Sequence, residues 1–282
     1  MQRKAIIAGI AVGEDCPLAF IGGPCVIESA VMAMNIATSV RQTCELLRVP
    51  YIFKASFDKA NRTRGSSFRG PGLAEGIRIL SDLRNRAQVP VVTDIHVPEQ
   101  AEQVAEHVDI LQIPAFLCRQ TDLIVAAART GLPLNIKKGP FVAPRDMGYA
   151  VEKAFAAGAP AVILTERGTT FGYHDLVVDF RSLRQMADIG VPVCFDATHS
   201  VQRPGAASGQ SGGDRRHIEA LSRAAVAAGA DLVFAEVHPD PLKALSDAET
   251  QLPLAEVPAW LASLTAIASA IGRGRDHSLT NS

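Results

Sequence analysis

Short apolar runs rich in β-branched residues recur along the chain, and each is followed by a longer stretch whose apolar residues follow helical spacing. Short runs of this kind, bounded by turn residues, are typical of buried strands, whereas the longer stretches are typical of helices with one buried face. We predict strands over residues 18–25, 51–56, 89–95, 109–115, 132–138, 161–166, 192–198 and 231–237.

The stretches between these strands end as helices commonly do. Several close on a glycine, because glycine adopts a left-handed backbone conformation without strain; these are Gly131, Gly158, Gly190 and Gly229. The predicted helices cover about residues 29–48, 72–87, 98–107, 120–130, 146–157, 180–189, 214–228 and 255–271. This alternation predicts parallel β/α units closed into one α/β barrel, a (β/α)8 TIM barrel.

Residues 1–17 stand outside the alternation. Their basic start and short apolar run resemble the beginning of a signal peptide, but Glu14 and Asp15 follow where a small-residue cleavage site would be needed. We predict an N-terminal β-hairpin instead. No linker or low-complexity tract divides the chain, so residues 1–282 are expected to form one barrel domain. The Gly/Ser-rich segment 204–213 is predicted to be a mobile loop at the active site.

Composition and charge narrow the class of partner. The chain is 48% hydrophobic and 20% charged, which suits a soluble protein with a sizeable core. Its formal net charge of −1 gives no global field for nucleic acid or an anionic membrane, so a small-molecule partner is expected. The five cysteines lack the spacing of a secreted disulfide framework, which favours a reducing, cytoplasmic location.

Polar side chains concentrate at the carboxyl ends of the predicted strands, whereas the first residues of those strands carry almost nothing ionisable. In a TIM barrel the carboxyl ends and the loops after them form the active-site face. One charged residue there is usually just solvated, but a bias shared by all the strands indicates a functional surface. The residues are Cys25, Lys54, Ser56, Asp94, His96, Gln112, Lys137, Lys138, Glu166, Arg167, Asp196, His199, Glu236 and His238.

The same face is predicted to be rich in cations, although the whole chain is balanced in charge. A local surplus indicates an anionic substrate with more than one phosphate or carboxylate group; the alternative is a generic basic rim. Arg grips phosphate with a planar fork, whereas Lys supplies a compact charge. The residues are Lys54, Lys59, Arg62, Arg64, Arg69, Arg119, Lys137, Lys138 and Arg167.

A second set contains four potential metal ligands, Cys25, His199, Glu236 and Asp247. Closing the barrel brings the first strand beside the last ones, where these residues lie. One thiolate, one imidazole and two carboxylates suit a divalent first-row ion such as Zn, Fe, Mn or Co. Because the four have no compact spacing motif, the alternative that Cys25 is only a buried cysteine stays open.

The segment FKASFDKANRTRGSSFRGPGL (53–73) resembles the 3-deoxy-D-manno-octulosonate 8-phosphate synthase family, also called phospho-2-dehydro-3-deoxyoctonate aldolase. The resemblance extends, in order, over nearly the whole chain after the first dozen residues. The other matching segments are GGPCVIES (22–29), TDIH (93–96), QIPAFLCRQTDL (112–123), NIKKGPF (135–141), TERGTTFGY (165–173), FDATHSVQRPG (195–205) and FAEVHPDPLKALSDAETQLPL (234–254).

This resemblance implies condensation of phosphoenolpyruvate with D-arabinose 5-phosphate and water, giving 3-deoxy-D-manno-octulosonate 8-phosphate and inorganic phosphate for lipopolysaccharide synthesis. It implies that Asn61, Arg62 and Thr63 hold the sugar phosphate. Family members usually have Ser at the position of Thr63, and the hydroxyl is retained here. The implied phosphoenolpyruvate ligands are Lys54, Ser56, Lys59, Gln112, Lys137 and Arg167.

The family has a metal-dependent and a metal-independent class, separated chiefly by Cys or Asn at the position of Cys25. The Cys, the KKG after the fifth strand and SDAETQLPL in the final loop resemble the metal class, which implies Cys25, His199, Glu236 and Asp247 as ligands. Association as a homotetramer is also implied. The implied catalytic residues are Lys59, Asp94, Lys137, His199 and Asp247.

Two alternatives remain. The related 3-deoxy-D-arabino-heptulosonate 7-phosphate synthase joins phosphoenolpyruvate to erythrose 4-phosphate with a similar barrel and metal set, but the loop KANRT (59–63) resembles the octulosonate enzyme rather than the Lys-Pro-Arg pattern of the other. From a different class, the chain could be a catalytically dead barrel that binds a phosphorylated metabolite and regulates a partner. All the matched positions are present, which favours the enzyme.

Overall fold

Strands and helices alternate along the chain as predicted. The computed structural model describes residues 3–60, 65–207 and 210–274. The strands are β1 (Lys4–Ile7), β2 (Ile10–Gly13), β3 (Ala19–Gly23), β4 (Tyr51–Lys54), β5 (Val91–Asp94), β6 (Ile110–Ile113), β7 (Leu134–Lys137), β8 (Val162–Glu166), β9 (Thr169–Thr170), β10 (Leu176–Val177), β11 (Val193–Asp196), β12 (Gln202–Ala207), β13 (Gln210–Gly213), β14 (Leu232–His238) and β15 (Leu252–Pro253). The helices are α1 (Ala30–Leu47), α2 (Leu73–Ala87), α3 (Gln100–Ala105), α4 (Thr121–Arg129), α5 (Met147–Ala156), α6 (Arg181–Ala187), α7 (Ile218–Ala227) and α8 (Val257–Ala270).

The barrel closes through parallel pairing of β3, β4, β5, β6, β7, β8, β11 and β14, in that order, with β14 returning to pair with β3. One helix follows each of these strands, so the predicted (β/α)8 TIM barrel is confirmed. The helices begin and end where local chemistry directs: the Ser29 hydroxyl accepts a hydrogen bond from the backbone N–H of Met32 at the start of α1, and Gly131 closes α4 with φ of 77°. Within the described residues, the helices are too short or too polar to cross a membrane.

The predicted N-terminal hairpin is also confirmed. Strands β1 and β2 pair antiparallel, and they close the end of the barrel opposite the carboxyl ends of its strands. Ile7 and Val12 of the hairpin are fully buried and pack with apolar side chains from inside the barrel. The apolar run near the start of the chain is therefore part of the core.

Residues 204–213, predicted to be a mobile loop, instead lie mostly in β12 and β13, which pair antiparallel; residues 208–209 lie outside the described part. Gly213 explains part of the Gly-rich composition, because a Cβ atom there would lie 2.1 Å from the Thr250 side chain. Glycine therefore allows close packing at this position. The segment still connects a barrel strand to α7, as predicted.

The inside of the barrel changes from apolar to polar along the strands. Alternate residues of each strand face inward, so the pattern follows directly from strand periodicity. Nearer the amino ends of the strands, the inward-facing residues are apolar and include Ile21, Ile52, Val92, Ile110, Ile163, Leu232 and Phe234. Further along the same strands and facing inward are the buried residues Lys54, Asp94, Gln112, Lys137, Asp196 and Glu236. The active-site end of the barrel is thus lined by charges.

At the opposite end, the fully buried Asp231 is an exception to the rule that strand beginnings lack ionisable groups. Its carboxylate accepts hydrogen bonds from Arg3 Nε at 2.8 Å, from Arg273 Nη2 at 2.6 Å and from the backbone N–H of Val193 at 2.8 Å. The two arginine side chains are 14% and 8% exposed. Asp231 therefore joins both ends of the described chain to the barrel.

Asp231→Ala is expected to lower the free energy of unfolding by about 3–5 kcal/mol, because it leaves two largely buried guanidinium groups without their carboxylate. Asp109→Ala is the matched control: Asp109 also precedes a barrel strand and accepts from the Val91 N–H, but its partner Arg84 is 41% exposed. Asp109→Ala should lower the free energy of unfolding by less than half as much as Asp231→Ala. Urea unfolding followed by circular dichroism measures both, and equal losses would contradict the role of Asp231.

Candidate active site

The carboxyl ends of β4 and β5 place a buried polar cluster on one side of the barrel mouth. Lys54 Nζ donates to Ser56 Oγ at 2.9 Å and to the Cys25 carbonyl at 3.1 Å. The Ser56 hydroxyl donates to Asp94, whose other oxygen lies 3.1 Å from His96 Nε2. Burial alone would raise the pKa of Asp94, but the charge of Lys54 and the His96 hydrogen bond outweigh it and hold that pKa well below its ordinary value. Asp94 is therefore ionised.

A second cluster centres on Asp196 at the end of β11. Its carboxylate accepts from Lys137 Nζ at 2.6 Å, lies 2.7 Å from His199 Nδ1 and accepts from the His199 backbone N–H at 2.9 Å. Burial opposes ionisation, but His199 and Lys137 lower the pKa of Asp196 far below its ordinary value. With Nδ1 held by this carboxylate, His199 presents Nε2 to the centre of the site.

Arg167 approaches the same centre from the end of β8. Its Nη2 donates to Gln202 Oε1 at 2.7 Å and to the His199 carbonyl at 3.3 Å. Its Nε is buried and has no hydrogen-bond partner among the described residues. Burial lowers the pKa of Arg167, although nearby carboxylates oppose this, and the group stays charged. A buried, incompletely paired guanidinium is suited to bind an anion.

Three of the four predicted metal ligands, Cys25, Glu236 and Asp247, meet where β3, β14 and the final loop come together, and His199 lies beside two of them. Potential ligand atoms of Cys25, Glu236 and Asp247 all lie within 4.8 Å of one another. His199 Nε2 lies 3.5 Å from Glu236 Oε1 and 3.9 Å from Asp247 Oδ2. Asp247 adopts a left-handed backbone conformation with φ of 48°, which is uncommon outside glycine and often marks a functional position.

Glu236 provides a test of whether this cluster fits a cation. The residue is fully buried, and neither carboxylate oxygen has a hydrogen-bond partner within the described ranges. Burial would raise its pKa, but the charges of His199, Lys59 and Lys54 outweigh this and lower the pKa to about 2. Lys54 Nζ and Lys59 Nζ lie 3.5 and 3.7 Å from Oε1 and compensate the charge, but neither carboxylate oxygen accepts a hydrogen bond, so both keep lone pairs for a further cation. The residues present therefore fit a divalent metal.

The Cys25 thiol lies beside these carboxylates. It lies 2.9 Å from Ser246 Oγ and 3.3 Å from Asp247 Oδ2. Burial, together with the charges of Asp247 and Glu236, raises its pKa well above the ordinary value. A bound cation reverses this balance, because it favours the thiolate directly.

The structure separates the predicted cations into those that converge and those that do not. Lys54, Lys59, Lys137 and Arg167 converge, whereas Arg119 is exposed. The exposed Arg69 pairs with Asp58 on both of its oxygens. Lys138 is fully buried and points elsewhere: its Nζ donates to the carbonyls of Gly139 and Gly168 at 3.3 and 3.2 Å and to Thr169 Oγ1 at 3.2 Å. The predictions for Asn61, Arg62, Thr63 and Arg64 lie outside the described residues.

Several residues that contact this site were not among the predicted site residues, among them Asp196, Gln202 and Ser246. Asp196 was noted only as a polar strand end, although it contacts two of the predicted catalytic residues. Gln202 holds Arg167, and Ser246 contacts Cys25. The sequence signal for Asp196 was available, because an acid three residues before a potential ligand histidine is well placed to orient it. No comparable signal marks Gln202 or Ser246.

The mouth of the TIM barrel holds one converging group of cations and one group of potential metal ligands. This combination defines an enzyme that acts on anionic substrates. Residues 2–271 match the family model described as the DAHP synthetase I family. The chain belongs to this family.

Curated relatives cover nearly the whole chain and share one printed name, 2-dehydro-3-deoxyphosphooctonate aldolase. The protein of Nitratidesulfovibrio vulgaris is 58% identical over 247 residues, which are 88% of this chain and 90% of the relative. That of a Cyanothece species is 52% identical over 271 residues, covering 96% and 99%. That of Geobacter metallireducens is 53% identical over 267 residues, covering 95% and 98%.

Proposed function

We propose that the chain condenses phosphoenolpyruvate with D-arabinose 5-phosphate and water to give 3-deoxy-D-manno-octulosonate 8-phosphate and inorganic phosphate, a step of lipopolysaccharide synthesis. The convergence of Lys54, Lys59, Lys137 and Arg167 beside the cluster of Cys25, Glu236 and Asp247 carries the proposal. Relatives at 52–58% identity bear the name of this activity, which favours it over the heptulosonate alternative.

The charge balance supports an anionic substrate together with a metal. The four converging cations face four carboxylates, those of Asp94, Asp196, Glu236 and Asp247. Protein charges therefore roughly cancel within the mouth. A divalent cation adds positive charge that a phosphate and a carboxylate of the substrate would neutralise.

Phosphoenolpyruvate would lie between the ends of β4, β6, β7 and β8. Lys137 and Arg167 would clamp its phosphate, since both are buried cations with directed donors. The remaining contacts would come from Lys54, Ser56, Lys59 and Gln112. Asn61, Arg62 and Thr63, by resemblance, would hold the phosphate end of the sugar, and they lie two to four positions after Lys59 in the chain.

The metal would be held by Cys25, His199, Glu236 and Asp247, and it would be Zn, Fe, Mn or Co, since this ligand set is both soft and hard. When bound, such an ion acts as a Lewis acid and lowers the pKa of a coordinated water. Asp196 would keep His199 in the tautomer whose Nε2 is free to bind.

The reaction requires orientation and charge stabilisation above all. C3 of phosphoenolpyruvate forms a bond to the aldehyde carbon, water adds at C2, and inorganic phosphate leaves. Lys59 would protonate or polarise the aldehyde oxygen; its Nζ lies 3.7 Å from Glu236 Oε1. Asp94 would lie near the reacting centre, and Asp247 would position the aldehyde or the attacking water.

Phosphate release from phosphoenolpyruvate tests the proposal, with arabinose 5-phosphate or erythrose 4-phosphate as the second substrate. We expect turnover with arabinose 5-phosphate, its loss after EDTA treatment, and its return when a divalent metal is added. Preference for erythrose 4-phosphate would support the heptulosonate enzyme. Binding of phosphoenolpyruvate without turnover would support the regulatory barrel, and activity unaffected by EDTA would contradict the metal.

We further propose a homotetramer. Several aromatic side chains on the loops after β6, β7 and β8 are exposed, namely Phe116, Phe141, Phe171 and Tyr173. Exposed aromatic side chains are enriched at contacts between subunits. Light scattering at several protein concentrations measures the assembly.

A cytoplasmic location is likewise a proposal. It is supported by the five cysteines, which are all buried and unpaired by disulfide bonds. Free thiols persist in reducing compartments.

A further inference from the structure

A row of polar side chains crosses the inner wall of the barrel from β6 to β11. Gln112, Asn135, Thr165 and Cys194 lie on consecutive strands, and each is at most 3% exposed. Asn135 Nδ2 donates to Gln112 Oε1 at 3.0 Å, and Thr165 Oγ1 donates to Asn135 Oδ1 at 2.6 Å. Asn135 and Thr165 belong to none of the substrate or metal contacts described above.

The donor and acceptor groups of these side chains fix the direction of the hydrogen bonds along the row. An amide oxygen only accepts and an amide nitrogen only donates, so a hydroxyl that donates to Asn135 Oδ1 leaves Nδ2 to face Gln112. Cys194 is the register partner of Thr165 on the neighbouring strand. The Thr165 hydroxyl donates its proton to Asn135 Oδ1.

We propose that Asn135, held by Thr165, is a positioning residue that makes Gln112 present its amide NH2 group, and not its oxygen, to the anionic substrate. The inference rests on the proposed function, in which Gln112 contacts phosphoenolpyruvate. The two ends of a glutamine amide have nearly the same shape but opposite polarity. An unrestrained amide could turn its oxygen toward the anion and lose a donor, whereas Asn135 occupies that oxygen.

A double-mutant cycle tests whether Asn135 acts through Gln112. Asn135→Ala should raise both the Kd of phosphoenolpyruvate and its KM by about 10-fold to 100-fold, the effect of losing one well-directed hydrogen bond to a charged ligand. In a Gln112→Ala background, Asn135→Ala should change either constant by less than about twofold. Equal losses in both backgrounds would mean that Asn135 only supports the barrel, and the proposal would fail.

Thr165 supplies a second, nearly isosteric test that leaves the barrel filled. Thr165→Val removes the hydroxyl that orients Asn135, and it should raise the KM of phosphoenolpyruvate with little change in kcat. Thr165→Ser keeps the hydroxyl and should restore the original KM. If Ser behaves like Val, the loss comes from packing, and the orientation argument is wrong.

Direct binding separates this inference from the proposed function. Calorimetric titration of the metal-loaded protein with phosphoenolpyruvate alone needs no aldose and no turnover. An original protein that does not bind phosphoenolpyruvate would overturn the proposed function. If the unsubstituted protein and the Asn135→Ala variant bind phosphoenolpyruvate equally well, only the positioning role of Asn135 is overturned.

Discussion

Replacing Cys25 by alanine is expected to release the divalent metal and to lower kcat by about 10²- to 10³-fold, because a bound metal ion contributes several kcal/mol of charge stabilisation. In the proposed site, Cys25 would provide the thiolate in a set whose other members are an imidazole and two carboxylates. Without it, the cluster loses one of its four potential ligand atoms, whereas Glu236 remains fully buried. The variant should fold, since Cys25 mainly contacts the ligand loop through Ser246 and Asp247.

Metal content by elemental analysis and phosphate release after reconstitution measure this effect together. Cys44→Ala is the matched control, because it deletes the same buried thiol from α1, far along the chain from the site. Cys44→Ala should keep the metal and near-normal turnover. A Cys25→Ala enzyme that had lost its metal but kept full activity would refute metal dependence.

Lys137→Met is expected to lower kcat/KM for phosphoenolpyruvate by about 10²- to 10³-fold, the cost of removing one directed donor from a charged site. Methionine keeps most of the length of lysine and removes its charge. The change would deprive the substrate phosphate of a cation, and it leaves Asp196, 2.6 Å from the lysine nitrogen, with His199 and the Thr198 hydroxyl as its remaining side-chain partners. Steady-state kinetics with phosphoenolpyruvate varied will measure the loss.

Lys138→Met is the neighbouring control with the opposite expectation. Lys138 lies 3.5 Å from the buried Glu166 and bonds to loop carbonyls, so its replacement should destabilise the fold and change kcat/KM by no more than about tenfold. Chemical denaturation measures the first effect. If the two variants lose kcat/KM equally, Lys137 has no special role in the site.

The sequence was sufficient to predict that Lys137 and Lys138 point in different directions, although both were predicted to be cations of the active-site face. Successive residues of a strand point to opposite sides of the sheet. Asn135 and Lys137 therefore share the inner side of β7, and Lys138 follows with the other orientation. The same reasoning places Thr165 inside and explains why the hydrogen-bonded row reaches Gln112.

Other features depended on contacts that no local pattern contains. The pairing of β12 with β13 was missed because a Gly/Ser-rich segment resembles a free loop, whereas Gly213 is required by the nearby Thr250 side chain. Asp231 and Arg273 meet only when the chain after α8 returns to the base of the barrel. In each case the partner is far along the sequence or belongs to another element.

The alternation of buried strands and amphipathic helices was sufficient to predict the barrel, because burial periodicity is a local property that repeats with every unit. The concentration of polar residues at the strand ends was sufficient to predict the active-site face for the same reason. Only the tertiary structure decided which charges meet: it places Cys25 beside Asp247 although 222 positions separate them, and it sets Asp196 between Lys137 and His199. Electrostatic partnership depends on distances of a few ångströms, and those distances exist only once the barrel has closed.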